Sequence, residues 1–294
     1  MRFTSRRFAH RFFFGTASVL CAGLAAALLF LQTQPAWASK ADGDKVMNRV
    51  QTAESNKQKF LGASEAAAAQ ADPELAAIKE RLIYGELAEK GTLSDKQKLL
   101  ITLVVLTASQ TLDDMEAQTE AALRVGVEPE AIKEAVYQCA PYIGFPKAES
   151  ALKGVNACFA KKGIKTSAQG TVTEETRFKD GVKAQKQIFG EAIDKMHETA
   201  PEGQKDLIVN YLSAFCFGDF YTRKVLDLKT RELLTFAIIS SLGGCEAQVK
   251  AHVQGNANMG NSKQNLVDAL CWMLPNIGFP RTLNALACVN AVMK

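Results

Sequence analysis

Histidine is scarce in this chain, with three residues in 294. His10 falls in the first 38 residues, so His197 and His252 serve the rest. Two histidines so far apart, with no cluster of cysteines or acids at ligand spacing, give no metal centre. A glycine-rich phosphate loop, a G-x-S-x-G elbow and a dinucleotide fingerprint are also missing. No cofactor is therefore expected. Acidic residues are absent from the first 38 positions, where Arg2, Arg6, Arg7 and Arg11 stand. Without that segment the formal charge of +4 disappears, leaving 31 basic against 31 acidic residues. A neutral body with no basic stripe gives no reason to expect a nucleic-acid partner.

The N-terminal segment itself has a recognisable order. Arginines come first, then an apolar run from Phe12 to Leu31, then Ala36-Trp37-Ala38. That is the pattern of an export signal cleaved after Ala38. Ser5-Arg6-Arg7 is a partial twin-arginine pattern, with Phe8 one place too early. The rival reading is an uncleaved anchor, the only route by which a membrane would be a partner. Either way the body is expected to be exported, to the periplasm. Removing the segment takes Cys21 and leaves Cys139, Cys158, Cys216, Cys245, Cys271 and Cys288. An even count permits disulfides in an exported protein. The spacings form no known framework, and most of these thiols sit in apolar runs, where they read as small buried hydrophobes.

Residues 39–71 are polar and alanine-rich and read as a solvated lead-in, helical in part at most and without a strong apolar face. From there the periodicity is helical throughout, which makes the fold all-α. Pro73 suits a first helical turn, as does Pro129 beside Glu128 and Glu130. Leu99 to Ala108 is apolar on most sides, as for a buried helix. Residues 163–174 mix Gly, Thr and Ser without periodicity and read as a linker. Beyond it, one helix is expected from Phe178 to about His197 and another from Lys205 to Phe217, with a break at Gly218.

The chain also repeats itself. At an offset of 134, Lys98-Leu99-Leu100 meets Glu232-Leu233-Leu234, and Ile143-Gly144-Phe145-Pro146 meets Ile277-Gly278-Phe279-Pro280. Gly126 meets Gly260, and Val155-Asn156-Ala157 meets Val289-Asn290-Ala291. The chain therefore reads as two copies of one helical domain, 72–162 and 175–294. The copies differ where chemistry would reside. His252 becomes Gln118, Glu232 becomes Lys98, Arg231 becomes Gln97 and Cys245 becomes Thr111. Glutamine hydrogen-bonds but carries no proton between states. Only the second copy keeps a titratable set.

In that copy, Arg231 to Gly260 spans a helix, a Gly243-Gly244 break and a second helix. Glu232 is placed to face His252 across this hairpin and fix its tautomer. Arg231 is a candidate bidentate anchor for a substrate carboxylate, and Asp219 a further carboxylate near the site. Cys245 follows the two glycines at a helix N-terminus, a placement that favours thiolate. A C-x-x-C pair would need a cysteine at 248, where Gln248 stands; a partner thiol would have to come from Cys216 or Cys271.

The run LDLKTRELLTFAIISSLGG, then His252 with Gly260 eight residues on, then IGFP followed by NAL, resembles the carboxymuconolactone decarboxylase family, relatives of the alkylhydroperoxidase D family. The lead-in from FKDGVKAQKQIFG through YLSAFCFGDFYTRKVL is similar too. The resemblance implies an all-helical fold with a helical hairpin at the site. It also implies a homo-oligomer, here a trimer of fused pairs. It makes a histidine at the position of His252 a proton-transfer residue. In the alkylhydroperoxidase branch it implies a relay of glutamate, C-x-x-C and histidine, matched by Glu232, Cys245 and His252 but lacking the second thiol. The leading expectation is acid–base decarboxylation of a small carboxylated lactone or related acid. The alternatives are a peroxiredoxin-like thiol antioxidant using Cys245 and a non-enzymatic helical binding or assembly protein.

Overall fold

The computed structural model describes residues 49–62 and 71–294. Both the expected signal segment and its cleavage site after Ala38 lie outside the described residues. No strand occurs among those residues, and together they form one compact unit. No described helix is long and apolar enough to cross a membrane.

The first copy contains α1 (Arg49–Leu61), α2 (Pro73–Leu82) with a wide helical turn at Ile83–Leu87, α3 (Asp95–Ser109), α4 (Met115–Arg124), α5 (Pro129–Ile143) and α6 (Phe145–Lys161). The second contains α7 (Arg177–Phe189), α8 (Ala192–Thr199), the wide-turn helix α9 (Asp206–Tyr221), α10 (Leu228–Leu242), α11 (Glu246–Asn258) and α12 (Lys263–Val292). Local signals start the long helices. Ser94 and Gln97 close a capping box on α3, Ser262 and Asn265 another on α12, and the Asp227 carboxylate accepts from Thr230 N at 2.8 Å at the head of α10. Each cap satisfies backbone donors that the first helical turn leaves free.

The repeat survives in backbone detail. Gly144 (φ 86°) separates α5 from α6, and Gly278 (φ 73°) bends α12 into two limbs at the matching position. A positive φ of this size is open to glycine and strained for most other residues. Helices α3 and α10 are matching elements too. They pack on one another at the centre, buried on nearly all sides, and one apolar core runs through both copies.

Three sequence expectations change here. The polar lead-in contains α1, which is not merely solvated: Phe60 is buried, with its ring 6.0 Å from that of Tyr84 and 6.2 Å from that of Trp272. Its inward face is only Ala53, Asn56 and Phe60, too narrow to show against so polar a background. The single helix expected from Phe178 to His197 is divided at Gly190, where φ is 66°. Gly218 does not break its helix. It lies inside α9, where an added Cβ would collide with the Arg177 carbonyl oxygen of α7. Gly85 gives Arg49 of α1 the same close approach in the first copy.

The copies also exchange contacts. On α5, Glu134 accepts from Arg223 Nε at 2.8 Å and Arg231 Nη2 at 3.1 Å, both in the second copy. Its match on α12, Asp268, accepts from Thr92 N at 2.6 Å and Thr92 Oγ1 at 2.8 Å in the first. Gln138 Nε2 donates to Thr235 Oγ1 at 3.2 Å; its match, Trp272 Nε1, donates to Thr102 Oγ1 at 2.9 Å. Each copy thus sends one helix into the hairpin of the other.

Candidate active site

Helices α10 and α11 bring Glu232 and His252 together, with His252 Nδ1 2.9 Å from Glu232 Oε2. The carboxylate is fully buried and the imidazole side chain 12% exposed, so the ring alone of the pair reaches solvent. A carboxylate only accepts hydrogen bonds, so Nδ1 is the donor in this contact. Asn256, one turn after His252, donates to the backbone oxygens of Glu232 (2.9 Å) and His252 (2.7 Å), pinning the two helices. Gly255 makes the approach possible, because an added Cβ would strike Glu232 Oε2.

Glu232 is held from its other side as well. Tyr221 Oη donates to Oε1 at 3.1 Å and lies 2.8 Å from Thr235 Oγ1 and 2.7 Å from Tyr142 Oη. Burial, then the nearby Glu232 charge, pushes the Tyr221 hydroxyl well above its ordinary pKa. Burial also raises Tyr142, with Cys216 and Glu232 adding to it. Both phenols therefore stay protonated donors. Tyr142 comes from α5 of the first copy, so the site draws on both. Its ring meets the imidazole edge-on at 5.9 Å, and the Phe189 ring does so at 5.5 Å.

Arg231 does not serve as a substrate anchor. Its side chain is fully buried and donates to Glu134, to Gln138 Oε1 (2.7 Å) and to the backbone oxygens of Leu226 and Arg223. Burial pulls its pKa down and the Glu134 carboxylate opposes that fall. Its role is to tie the start of α10 to the first copy. Asp219 is likewise committed, paired with Arg177 of α7; it is not a partner of the His252–Glu232 pair. The match Arg49–Glu86 in the first copy marks this as a repeated structural clasp.

Cys245 is the N-cap residue of α11 and half-buried, with Sγ 3.3 Å from Gly243 O. It precedes His252 by two helical turns, roughly 10 Å along the axis, so it stands apart from the hydrogen-bonded set. Neither Cys216 nor Cys271 is its neighbour in the small pocket it lines; Cys288 is. Cys288 Sγ lies 3.7 Å from Glu246 O, one residue past Cys245. Burial pushes the Cys216 thiol up to about 12, while its hydrogen bond to Tyr142 Oη pulls the other way.

Sequence reasoning therefore found the pair that the fold brings together, His252 and Glu232. It missed Tyr142, Tyr221, Thr235, Gly255 and Cys288. The repeat carried a signal for two of these: Tyr142 faces Asn276 in the alignment of copies, and Gly255 faces Ala121.

The fold and site define an all-α protein of duplicated helical domains with one buried histidine–carboxylate pair. The chain belongs to the carboxymuconolactone decarboxylase family, whose profile matches residues 73–157 and 207–291, one match per copy. It is similar to the 4-carboxymuconolactone decarboxylase of Acinetobacter baylyi, 26% identical over 124 residues that cover 42% of this chain and 91% of that protein. Family membership supports a decarboxylase-like or alkylhydroperoxidase-like function.

Proposed function

We propose that this protein decarboxylates a small carboxylated lactone or related acid, with His252 as the proton donor. The observation that carries this reading is the 2.9 Å contact between His252 Nδ1 and the buried Glu232 carboxylate. Breaking the carbon–carboxylate bond releases carbon dioxide and leaves the electron pair on carbon as an enolate-like anion. The protonated imidazole gives its Nε2 proton to that carbon, and Nε2 is reprotonated from water. Glu232 holds the ring in one tautomer and balances the imidazolium charge. Tyr221 and Asn256 fix Glu232 and the two helices, so little reorganisation is needed during transfer. The 4-carboxymuconolactone decarboxylase of A. baylyi supplies the substrate class. Carbon dioxide release from 4-carboxymuconolactone is the direct test. His252→Ala and Glu232→Gln should each lower kcat by about 10²- to 10⁴-fold; unchanged turnover in either would overturn the role assigned to that residue.

A second reading rests on Cys245 and Cys288, which share one pocket. Two thiols and a hydroperoxide would give an intramolecular disulfide, an alcohol and water, with the peroxide reduced and the thiols oxidised. Hydroperoxide consumption with a dithiol reductant, lost in Cys245→Ser and in Cys288→Ser, would favour this chemistry over decarboxylation.

Export, with cleavage after Ala38, is part of the proposal and rests on the arginine–apolar–A-x-A order of the first residues. N-terminal sequencing of the secreted protein should begin at Ser39. Assembly as a trimer of fused pairs is supported by the exposed, repeat-matched Phe145 and Phe279, 52% and 64% accessible. Light scattering should give about three chains per particle, and a monomeric mass would overturn it.

A further inference from the structure

The first copy has lost the residues that match Glu232 and His252, yet its hairpin is not closed up. A cavity of about 90 Å³ lies there. Gln118, the match of His252, lines it, together with Asn276, the match of Tyr142. The walls are Phe60, Tyr84 and Trp272, and the exposed Lys79, Asp114 and Asn276 stand at the mouth. The exchange between copies is thus repeated in mirror order: α12 of the second copy helps to build the pocket of the first. Lys98, where Glu232 would be, donates to Ala88 O at 2.5 Å and lies 5.5 Å from the Trp272 ring centre, behind that wall.

We propose that this cavity is a non-catalytic binding site for a small monocarboxylate with a compact flat body. The body size follows from volume. The space is smaller than the ~150 Å³ that accommodates benzene, which suits about five ring atoms. Aromatic walls favour a flat unsaturated body by stacking and edge contacts. The charged end belongs at the mouth, where the Lys79 ammonium and the Gln118 and Asn276 amides offer donors. Among the described residues neither amide takes part in a side-chain hydrogen bond. Asp114 on the same rim opposes a second negative charge, so a monoanion is selected over a dianion. Tyr84 adds a wall that keeps its proton, since burial, with Glu80 and Asp114 nearby, pushes it up to about 12. With Gln118 in place of histidine, and Lys98 hydrogen-bonded away, the bound acid meets no histidine–carboxylate pair. The site holds a ligand without turning it over.

Trp272 reports on the pocket directly. With Trp37→Phe, it is the single tryptophan of the full chain. Titration with 2-furoate should change its fluorescence saturably, whereas the uncharged furfuryl alcohol should bind at least about fivefold more weakly. Lys79→Ala should weaken 2-furoate by about fivefold, the scale of an exposed ion pair, and leave furfuryl alcohol unchanged. Gln118→Phe should fill the pocket and abolish the response. Gln118→Glu is the softer variant if that one does not fold, and should weaken 2-furoate selectively. His252→Ala should leave the titration unaltered. No saturable response to 2-furoate, equal affinity for the alcohol, a response that survives both Gln118 variants, or loss in His252→Ala would each overturn the proposal. Since the readout is binding and not turnover, it stands or falls separately from the decarboxylation assays.

Discussion

The two hairpins of this protein share a helix–turn–helix plan and differ in chemistry. In the second, Glu232 is buried against His252 and accepts from Tyr221, which is itself held by Thr235. In the first, Lys98 points its ammonium at a backbone oxygen, and Gln118 lines an open cavity. The difference extends one residue deeper than the titrating groups. Gly255 leaves room for the Glu232 carboxylate, and its match is Ala121, where no carboxylate needs room. A functional site on this scaffold is therefore more than a substituted pair. It includes the missing methyl group that lets the pair approach, and a tyrosine lent by the other copy.

The sharpest way to break this comparison is to remove the histidine side by side with its match. His252→Ala should lose about 10²- to 10⁴-fold in kcat for a turned-over substrate, and Gln118→Ala should leave kcat within about twofold. Comparable losses would mean that the copies share the chemistry. The next largest contrast lies at the helix starts. Arg231→Ala leaves Glu134 with Arg223 as its one remaining guanidinium partner and strips Gln138 Oε1 of its donor, so it should destabilise the protein by about 2–3 kcal/mol. Its match Gln97 closes only a capping box, so Gln97→Ala should cost about 1 kcal/mol. Urea unfolding of the two variants measures both.

A finer contrast uses the buried methyl group. Gly255→Ala should cost about 1–3 kcal/mol through overpacking and lower kcat by displacing Glu232. Combining it with Glu232→Ala, which opens the space, should restore most of the stability but no activity. Ala121→Gly should cost only the helix propensity difference, about 1 kcal/mol. The smallest effect is with pH, and it is shared by both hairpins. Tyr84 in the first and Tyr142 and Tyr221 in the second all have raised pKa values when folded. A raised value means that the folded state keeps protons that the unfolded state sheds. Their stabilisation is full below the unfolded phenol value of about 10 and is lost as pH climbs through about 12, where Tyr84 titrates when folded. Melting temperature should fall across that interval, with phenolate absorbance rising together with unfolding. Replacing Tyr84 by Phe should remove its share of the slope.

Much of this was legible in the residues. The offset of 134 holds without a gap from α3 onward, because an insertion within a helix would turn the apolar face that follows it. The same offset exposed the His252/Gln118 and Glu232/Lys98 differences. It fails earlier in the chain, where α1 hides three inward residues in a polar helix. The role of Arg231 was also hidden. An arginine beside a candidate acid suggests a substrate anchor, and its true partner Glu134 lies 97 residues away on the other copy. Gly218 misled for a related reason: a glycine that admits a neighbouring backbone resembles, in one dimension, a glycine that ends a helix. Tyr142 could be found only by asking which side chains of the silent copy face the active one.

The exchange of α5 and α12 between the copies bears on what duplication can discard. A duplicated half that has lost its own reaction would ordinarily be free to decay. Here α5 supplies Tyr142 to the wall of the surviving site and Glu134 to the clamp on Arg231. The silent half can drift only as far as its twin's dependence on that helix permits. A chain cut within 163–174 would yield a second copy that carries His252 and Glu232 but stands on half a floor. The smallest inheritable unit of this site is the fused pair, and joining the two in one polypeptide guarantees that each half carrying the His252–Glu232 pair is made with the partner that supplies Tyr142.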